Sequence, residues 1–471
     1  MLRAAISLSV ALTVLGADGS ALAARTTTTV AGDVRAVAFS GDGLAVAHMP
    51  PRRGVTVDRF VGGAPPQQLL GTSLRGDTDL VALAGSGQAL AVGLQRDGED
   101  SFGESRVFAG PATGPLREVA SCAASLLAPP VAVFGARIAW REGACGEPPA
   151  DPTAIGAASI VIAAADPAIA PARIALDPAV LPASLALTAA GGLVGTLRPS
   201  FFAADSEVVG FGLRGAGTTL VTERSAIVSP LGVLSDGTRV FTRARLAGSE
   251  RDARGGAACA NSLFTIPANG MQRREVPTGG CLVGADAPAS ASSARASGDR
   301  IYALVSNNGG RSAAEVPRIS LVSVRADGGD RRVHASGSYR PPQGLAADGL
   351  RLAYWHRRCS DADGDVVVVG DAAQDGDAPA IASCRAQVLT RTARVRDGRI
   401  SIRLRCPAGC RGVAVDQTAE IPQPLRTFAL RAGTHTLRLA PTSAARRRGR
   451  LRLELSLEGG PGVLDEIRLR R

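Results

Sequence analysis

The chain has 471 residues, 53 basic and 42 acidic side chains and a net charge of +11. Apart from four histidines every basic residue is arginine, which excludes lysine Schiff-base and lysine-base chemistry. Aromatic residues are only 3% of the total, so the core has to be built from Val, Leu, Ile and Ala in closely packed layers.

At the N-terminus, Arg3, the apolar residues 4–15 and the Ala-Leu-Ala triplet 21–23 make up the parts of a secretory signal peptide, placed at residues 1–23. The apolar part is too short to span a bilayer, and no later run reaches the ~18 residues that spanning requires. No cysteine near the cleavage triplet could accept a lipid. The mature chain is expected to be secreted, extracellular or associated with the cell surface, with no transmembrane segment.

One pattern then recurs. The stretches "FSGDGLAVA", "AGSGQALAV", "FGARIAW", "AAGGLVGTL", "SDGTRVF", "SGDRIYA" and "ADGLRLAYW" align on Gly43, Gly87, Gly135, Gly191, Gly237, Gly298 and Gly349. Their spacings are 44, 48, 56, 46, 61 and 51 residues. Asp-Gly and Gly-Gly tolerate the positive φ of tight hairpins, so each stretch is expected to join two strands. Further strands are expected at 159–164, 262–266, 319–324 and 365–370. About four strands per unit of roughly 50 residues is the period of a propeller blade. The expected fold is all-β: a roughly seven-bladed β-propeller over residues 24–384, then a small antiparallel β-sandwich over 385–471. A β-helix or a pair of β-sandwiches is the alternative.

"AFSGDGLAVA" and "AADGLRLAYW" resemble the Ser-x-Asp-Gly-x-x-Leu-Ala signature of the WD-like repeats in bacterial Tol-type periplasmic propellers. The likeness covers the turn and one strand per unit. It is clear at Gly43, Gly237 and Gly349 and degenerate elsewhere, and no Trp-Asp dipeptide occurs. It implies an exported propeller.

Eight cysteines in an exported chain read as disulfides. Their positions favour Cys122–Cys145, Cys259–Cys281, Cys359–Cys384 and Cys406–Cys410, each pair formed by an out-and-back segment. A metal site has less support: His48, His334, His356 and His435 show no ligand spacing. "SDADGD" places Asp361, Asp363 and Asp365 at the alternation that can surround Ca²⁺, but Val366 and Ala372 stand where a calcium loop of that type needs Gly and Glu. A plain solvated turn is the preferred reading, and no cofactor is expected.

Residues 385–471 carry 19 Arg against 7 acids, whereas the rest of the chain is near neutral with 34 Arg against 35. Here "RISIRLR" alternates Ile400, Ile402 and Leu404 with Arg399, Ser401, Arg403 and Arg405, the period of a half-buried strand. With its "RCPAGCRG" element and Arg-rich turn, this part is similar to small β-sandwiches appended to exported actinobacterial proteins. Arginine-only basic usage with 56 Gly matches the codon bias of a GC-rich genome, so the Arg count alone names no ligand. Arg399, Arg403 and Arg405 with Arg446, Arg447 and Arg448 are the candidates for an anionic cell-surface polymer. Nucleic acid is not expected, because Phe428 is the only aromatic residue in this part. No catalytic motif occurs. The leading reading is an exported non-enzymatic binding or scaffolding protein with an unidentified protein or glycan partner; the alternative is a propeller-type glycosidase or lyase, whose carboxylates would come from separate blades.

Overall fold

The computed structural model describes residues 25–470 except the stretches 51–53, 73–79, 97–102, 126–128, 144–157, 177–179, 200–203, 214–216, 246–258, 284–292, 307–317, 339–340, 360–364, 372–382 and 419–420 and positions 167, 225, 260, 271 and 459. Within them, short apolar strands joined by tight turns form a β-propeller of seven antiparallel sheets. Blade one pairs Asp33–Ser40, Gly43–Met49, Thr56–Phe60 and Gln67–Gly71 in chain order. Blades two to five repeat that order from the strands Leu80–Gly85, Val131–Phe134, Leu181–Leu187 and Ala226–Val233. Blade six divides its first position between Cys281–Leu282 and Ala294–Ser297, both paired with Arg300–Ser306. Blade seven takes Gln343–Asp348, Arg351–His356 and Asp365–Asp371, and borrows Thr26–Val30 from the start of the chain as its fourth strand. The first strands of successive blades pack against one another around a closed ring.

There is no single core. Each pair of neighbouring blades encloses its own apolar layer, seven in all among the described residues. Leu90 and Val92 of blade two pack on Val57 and Ala45 of blade one, and Tyr302 and Leu321 of blade six pack on Leu352 and Tyr354 of blade seven. Small Ala and Val side chains keep these layers thin, and burying each Val, Leu or Ile contributes about 1.5–3 kcal/mol.

The hairpin turns tie the blades together. Gly41 N donates to Ser86 O (2.9 Å), Ser86 Oγ to Gly135 O (2.5 Å) and Ser235 N to Gly298 O (2.8 Å). Gly349 N donates to Ser297 Oγ (2.8 Å). The Arg two residues after the turn Gly makes the same connection: Arg137 donates to the carbonyls of Thr188 (3.1 Å) and Ala189 (2.9 Å). Arg351 donates to Gly41 O (3.1 Å) and stacks on the Phe39 ring at 4.5 Å, joining the last blade to the first. Between blades four and five, Ser206 Oγ donates to Ala226 O (2.7 Å) and accepts from Val228 N (3.0 Å).

The glycines act in two ways. Gly135, Gly237, Gly298 and Gly349 have positive φ, but in blade one that role falls to Gly41 (φ 63°) rather than Gly43. Gly43 and Gly191 are needed for close approach, since a Cβ would lie 2.6 Å from Phe60 O and 2.0 Å from Phe211 O. Gly87 has neither constraint: its φ is not positive and no atom lies within 4 Å of an added Cβ.

The C-terminal part is a β-sandwich. A three-stranded sheet of Gln387–Val388, Ile400–Cys406 and Gly433–Leu439 faces a five-stranded sheet of Thr392–Arg394, Val463–Arg470, Arg450–Leu457, Cys410–Asp416 and Gln423–Leu430. Ile400, Ile402, Leu404 and Leu437 interdigitate with Leu451, Leu453, Leu455 and Ile467 between them. One pairing is not antiparallel: Thr392–Arg394 runs parallel to Val463–Arg470, because it is the incoming segment that covers the edge of the chain's last strand. Ser443–Arg448, the helix among the described residues, is capped by the Thr442 hydroxyl, which accepts from Ala445 N at 3.2 Å. Two contacts join the sandwich to the propeller: Arg411 pairs with Asp33 at 3.7 Å, and the Cys384 carbonyl lies against Gly460.

Cys259 is bonded to Cys281, Cys359 to Cys384 and Cys406 to Cys410, with Cα separations of 5.1, 5.3 and 5.5 Å. Cys122 is disulfide-bonded, and Cys145 lies outside the described residues. In the chain-entropy model the Cys359–Cys384 loop is worth about 3.5 kcal/mol and the short Cys406–Cys410 loop about 2 kcal/mol. Replacing Cys359 and Cys384 by Ser should therefore lower urea-unfolding stability more than replacing Cys406 and Cys410; the reverse order would show that the long loop is already constrained without its bond.

Gly344 supplies a sharper test. Its φ is 50° and an added Cβ would lie 1.8 Å from Trp355 Cη2, whereas Gly349, at φ 58°, has no atom within 4 Å. Gly349→Ala should cost only the left-handed backbone penalty, about 1–2 kcal/mol. Gly344→Ala should add about 1–3 kcal/mol of overpacking to that. Equal losses in urea titrations would mean that Trp355 can move aside.

Candidate functional site

Of the residues that the sequence offers for metal binding, the described ones make contacts within the fold. Asp365 begins the third strand of blade seven, and its carboxylate accepts from Val34 N (2.9 Å) and Arg358 N (3.1 Å). It thus stitches blade seven to blade one, and it is buried rather than solvated. Asp361 and Asp363 lie outside the described residues. Burial raises the Asp365 pKa, and the two backbone donors oppose that rise.

His48 is buried, with Nδ1 2.8 Å from Ala31 O and Nε2 2.9 Å from Asp58. His334 is buried beside Ser323 Oγ (2.8 Å), and His356 stands edge-on to Tyr354 at 5.4 Å. His435 contacts the carbonyl of Arg431 at 2.8 Å. No group of three or more His, Cys, Asp or Glu able to hold a metal occurs among the described residues.

The six candidate arginines fall into two sets. Arg403 and Arg405 point outward from Ile400–Cys406, alternating with the buried Ile402, Leu404 and Cys406, and Arg399 is exposed just before that strand. Arg446, Arg447 and Arg448 occupy the last turn of the helix, where the partial negative charge of its C-terminus favours cations. Arg446 reaches within 3.9 Å of the Cβ position of Gly398, beside Arg399. Arg446 and Arg447 line a cleft of about 500 Å³ with Val395, Ser443, Leu469 and Arg470. Arg448 is used differently: it donates to Thr418 O at 2.9 Å.

Two other arginines escaped the sequence reading. Arg438 is exposed directly opposite Ser401 in the three-stranded sheet. The alternation in "THTLRLA" carried that signal, because Leu437 and Leu439 must face inward. Arg295, on the first strand of blade six, is held down to about 10 by burial, and nothing local in the sequence marks it.

No family model matches the chain, and no curated protein sequence matches it. Solved structures do show similarity. A prolyl endopeptidase is 14% identical, with a TM-score of 0.47 over 81% of this chain and 53% of its own. The TolB-like protein from Agrobacterium tumefaciens is 10% identical, with a TM-score of 0.32 over 69% and 94%. The BP39L lectin from Burkholderia pseudomallei is 11% identical, with a TM-score of 0.43 over 75% and 99%. This chain therefore spans about half the length of the peptidase.

The raised pKa of Asp365 gives its contribution to stability a definite sign. A carboxyl whose pKa is higher in the folded than in the unfolded chain stabilises fully below the ordinary aspartate value, and that contribution is lost as pH rises through the folded value. Measured against the Asp365→Asn variant, which cannot titrate at this position, the unaltered protein should gain stability on acidification from neutral pH to below 3.8. A relative loss over that window would show that the amide bonds of Val34 and Arg358 outweigh burial.

Proposed function

We propose that this chain is an exported, non-enzymatic binding and scaffolding protein. In this reading residues 1–23 are a signal peptide, residues 24–384 form a propeller of WD-like repeats that presents its surface to an extracellular protein or glycan, and residues 385–471 form an appended domain that holds the molecule against an anionic cell-surface polymer. The observation carrying the proposal is the state of the sandwich arginines. Arg399, Arg403, Arg405, Arg446 and Arg447 are exposed and have no side-chain ion-pair partner among the described residues. Such groups are open to carboxylate or phosphate, which a guanidinium holds with two parallel hydrogen bonds.

The contacts of Arg411 with Asp33, at the start of blade one, and of Gly460 with Cys384, bonded to Cys359 beyond the second strand of blade seven, support the scaffolding part. An anchor there would hold the whole ring rather than one blade.

The test is a glycan array and a reducing-end assay with residues 24–471. Retention on one class of extracellular glycan without new reducing ends is the expected result. Release of reducing ends or unsaturated products from the retained polymer would establish the glycosidase or lyase instead.

A further inference from the structure

The sandwich sorts its charges between its two sheets. No Asp or Glu occurs in the three strands Gln387–Val388, Ile400–Cys406 and Gly433–Leu439. The other sheet and its borders carry acids, of which Asp465 pairs with Arg391, Glu466 with Arg450 at 3.8 Å and Glu458 with Arg411 at 2.7 Å, while Asp397 lies exposed in the turn before Arg399. The five-stranded sheet therefore mixes acids with its arginines, whereas the strands of the three-stranded sheet carry arginines and no acid.

The cationic face also has a regular spacing. Arg403 and Arg405 are two residues apart on one strand, and Arg438 stands opposite Ser401, one further step along. Because Arg438 is on the neighbouring strand, the three exposed guanidinium stems form a staggered row with steps of ~7–8 Å, and Arg399 extends it by another step. Directly beside them the same face presents exposed Ser401, Thr434, Thr436 and Gln387, all neutral hydrogen-bonding groups. Its exposed apolar side chain is Leu389, at the edge beside Arg403.

We propose that this face binds a linear polyol phosphate laid along the Ile400–Cys406 strand, with Arg403, Arg405 and Arg438 each meeting a successive phosphate. The inference rests on the proposed anchoring role of the sandwich and assigns it a place and a chemistry. A fully extended three-carbon polyol phosphate repeat is about as long as one step of the arginine row, and its hydroxyls can meet the Ser and Thr groups beside the arginines. A lipid surface is a poorer fit, because interfacial binding needs a row of apolar side chains and this face offers one at its border. Single-stranded nucleic acid lacks its stacking platform, since Phe428 is buried.

The experiment uses residues 24–471 and synthetic poly(glycerol phosphate) as the probe, with polygalacturonate, phosphatidylglycerol vesicles and oligothymidylate as parallel arms. Poly(glycerol phosphate) should bind best, and binding should weaken steeply between 50 mM and 0.5 M salt as exposed charges are screened. Arg403→Ala, Arg405→Ala and Arg438→Ala combined should weaken it about tenfold or more at low salt. Arg450→Ala, Arg452→Ala and Arg468→Ala combined, on the opposite sheet, should change it about twofold at most. Unfolding curves of both triple variants separate lost binding from lost folding. Equal weakening by both sets, or tighter binding of vesicles, nucleotide or polygalacturonate, overturns the assignment of this face and ligand while leaving an anionic anchor standing. No binding of any polyanion by the unaltered protein overturns the anchoring role itself, and the glycan-array result on the propeller is unaffected by either outcome.

Discussion

A propeller blade cannot stand alone, and every other feature of this molecule depends on that. Its two faces are both apolar, so each sheet is stable only between two neighbours, and a row of sheets leaves two faces bare unless the row closes. Closure here joins the strand Thr26–Val30 to the last blade of the ring. Thr26–Val30 completes the blade whose other strands begin more than 300 residues later, and Val30 packs into the layer shared by blades seven and one. The polar contacts at that junction have the same purpose. Asp365 accepts the Val34 amide, and Arg351 reaches Gly41 and covers Phe39. A buried carboxylate satisfied by two backbone donors is costly to disturb, because removing it strands both amides.

The architecture was legible because its signals are local. A turn glycine followed by alternating apolar residues needs only a few positions to be recognised, and seven such stretches at similar spacing leave few alternatives to radial stacking. The Gly-x-Arg pattern meant more than its turn suggested: Arg137 and Arg351 carry the turn's hydrogen bonding on to the next blade. What could not be read were decisions made at long range. The run of threonines at 26–29 is a good strand former, but its place in the last blade follows from ring closure and from no pattern of its own. Gly41 rather than Gly43 takes the positive φ because Ser40 and Gly43 form the final pair of that hairpin.

Asp365 shows how a local spacing can mislead. Three alternating carboxylates look alike in sequence, whether they surround an ion or solvent. The described one is drawn inward because it begins a strand at the seam, where two amides require an acceptor. The histidines behave similarly: His48 and His334 are buried, and their ring nitrogens lie against a carbonyl, a carboxylate and a hydroxyl within the blades. In a chain this poor in aromatic residues, polar side chains inside the ring serve packing and register.

The arginines bring these threads together. A genome that uses Arg for every basic position puts guanidinium where lysine would otherwise do, and many of these groups answer a structural need. Arg59 bonds the Ser40 carbonyl, Arg300 holds Ser323 and Asp330, and Arg448 holds Thr418. Structural use of this kind draws each arginine toward a carbonyl or an acid. The outer face of the three-stranded sheet runs against that tendency, for Arg403, Arg405 and Arg438 are lined up with hydroxyls and no acid in any strand beside them. Like charges held in a row repel one another, and a fold selected for stability alone would relieve that strain with one glutamate, as the opposite sheet does at Glu466. In that acid-free row the counter-charge proposed from outside the chain would relieve a repulsion that no strand beside it answers.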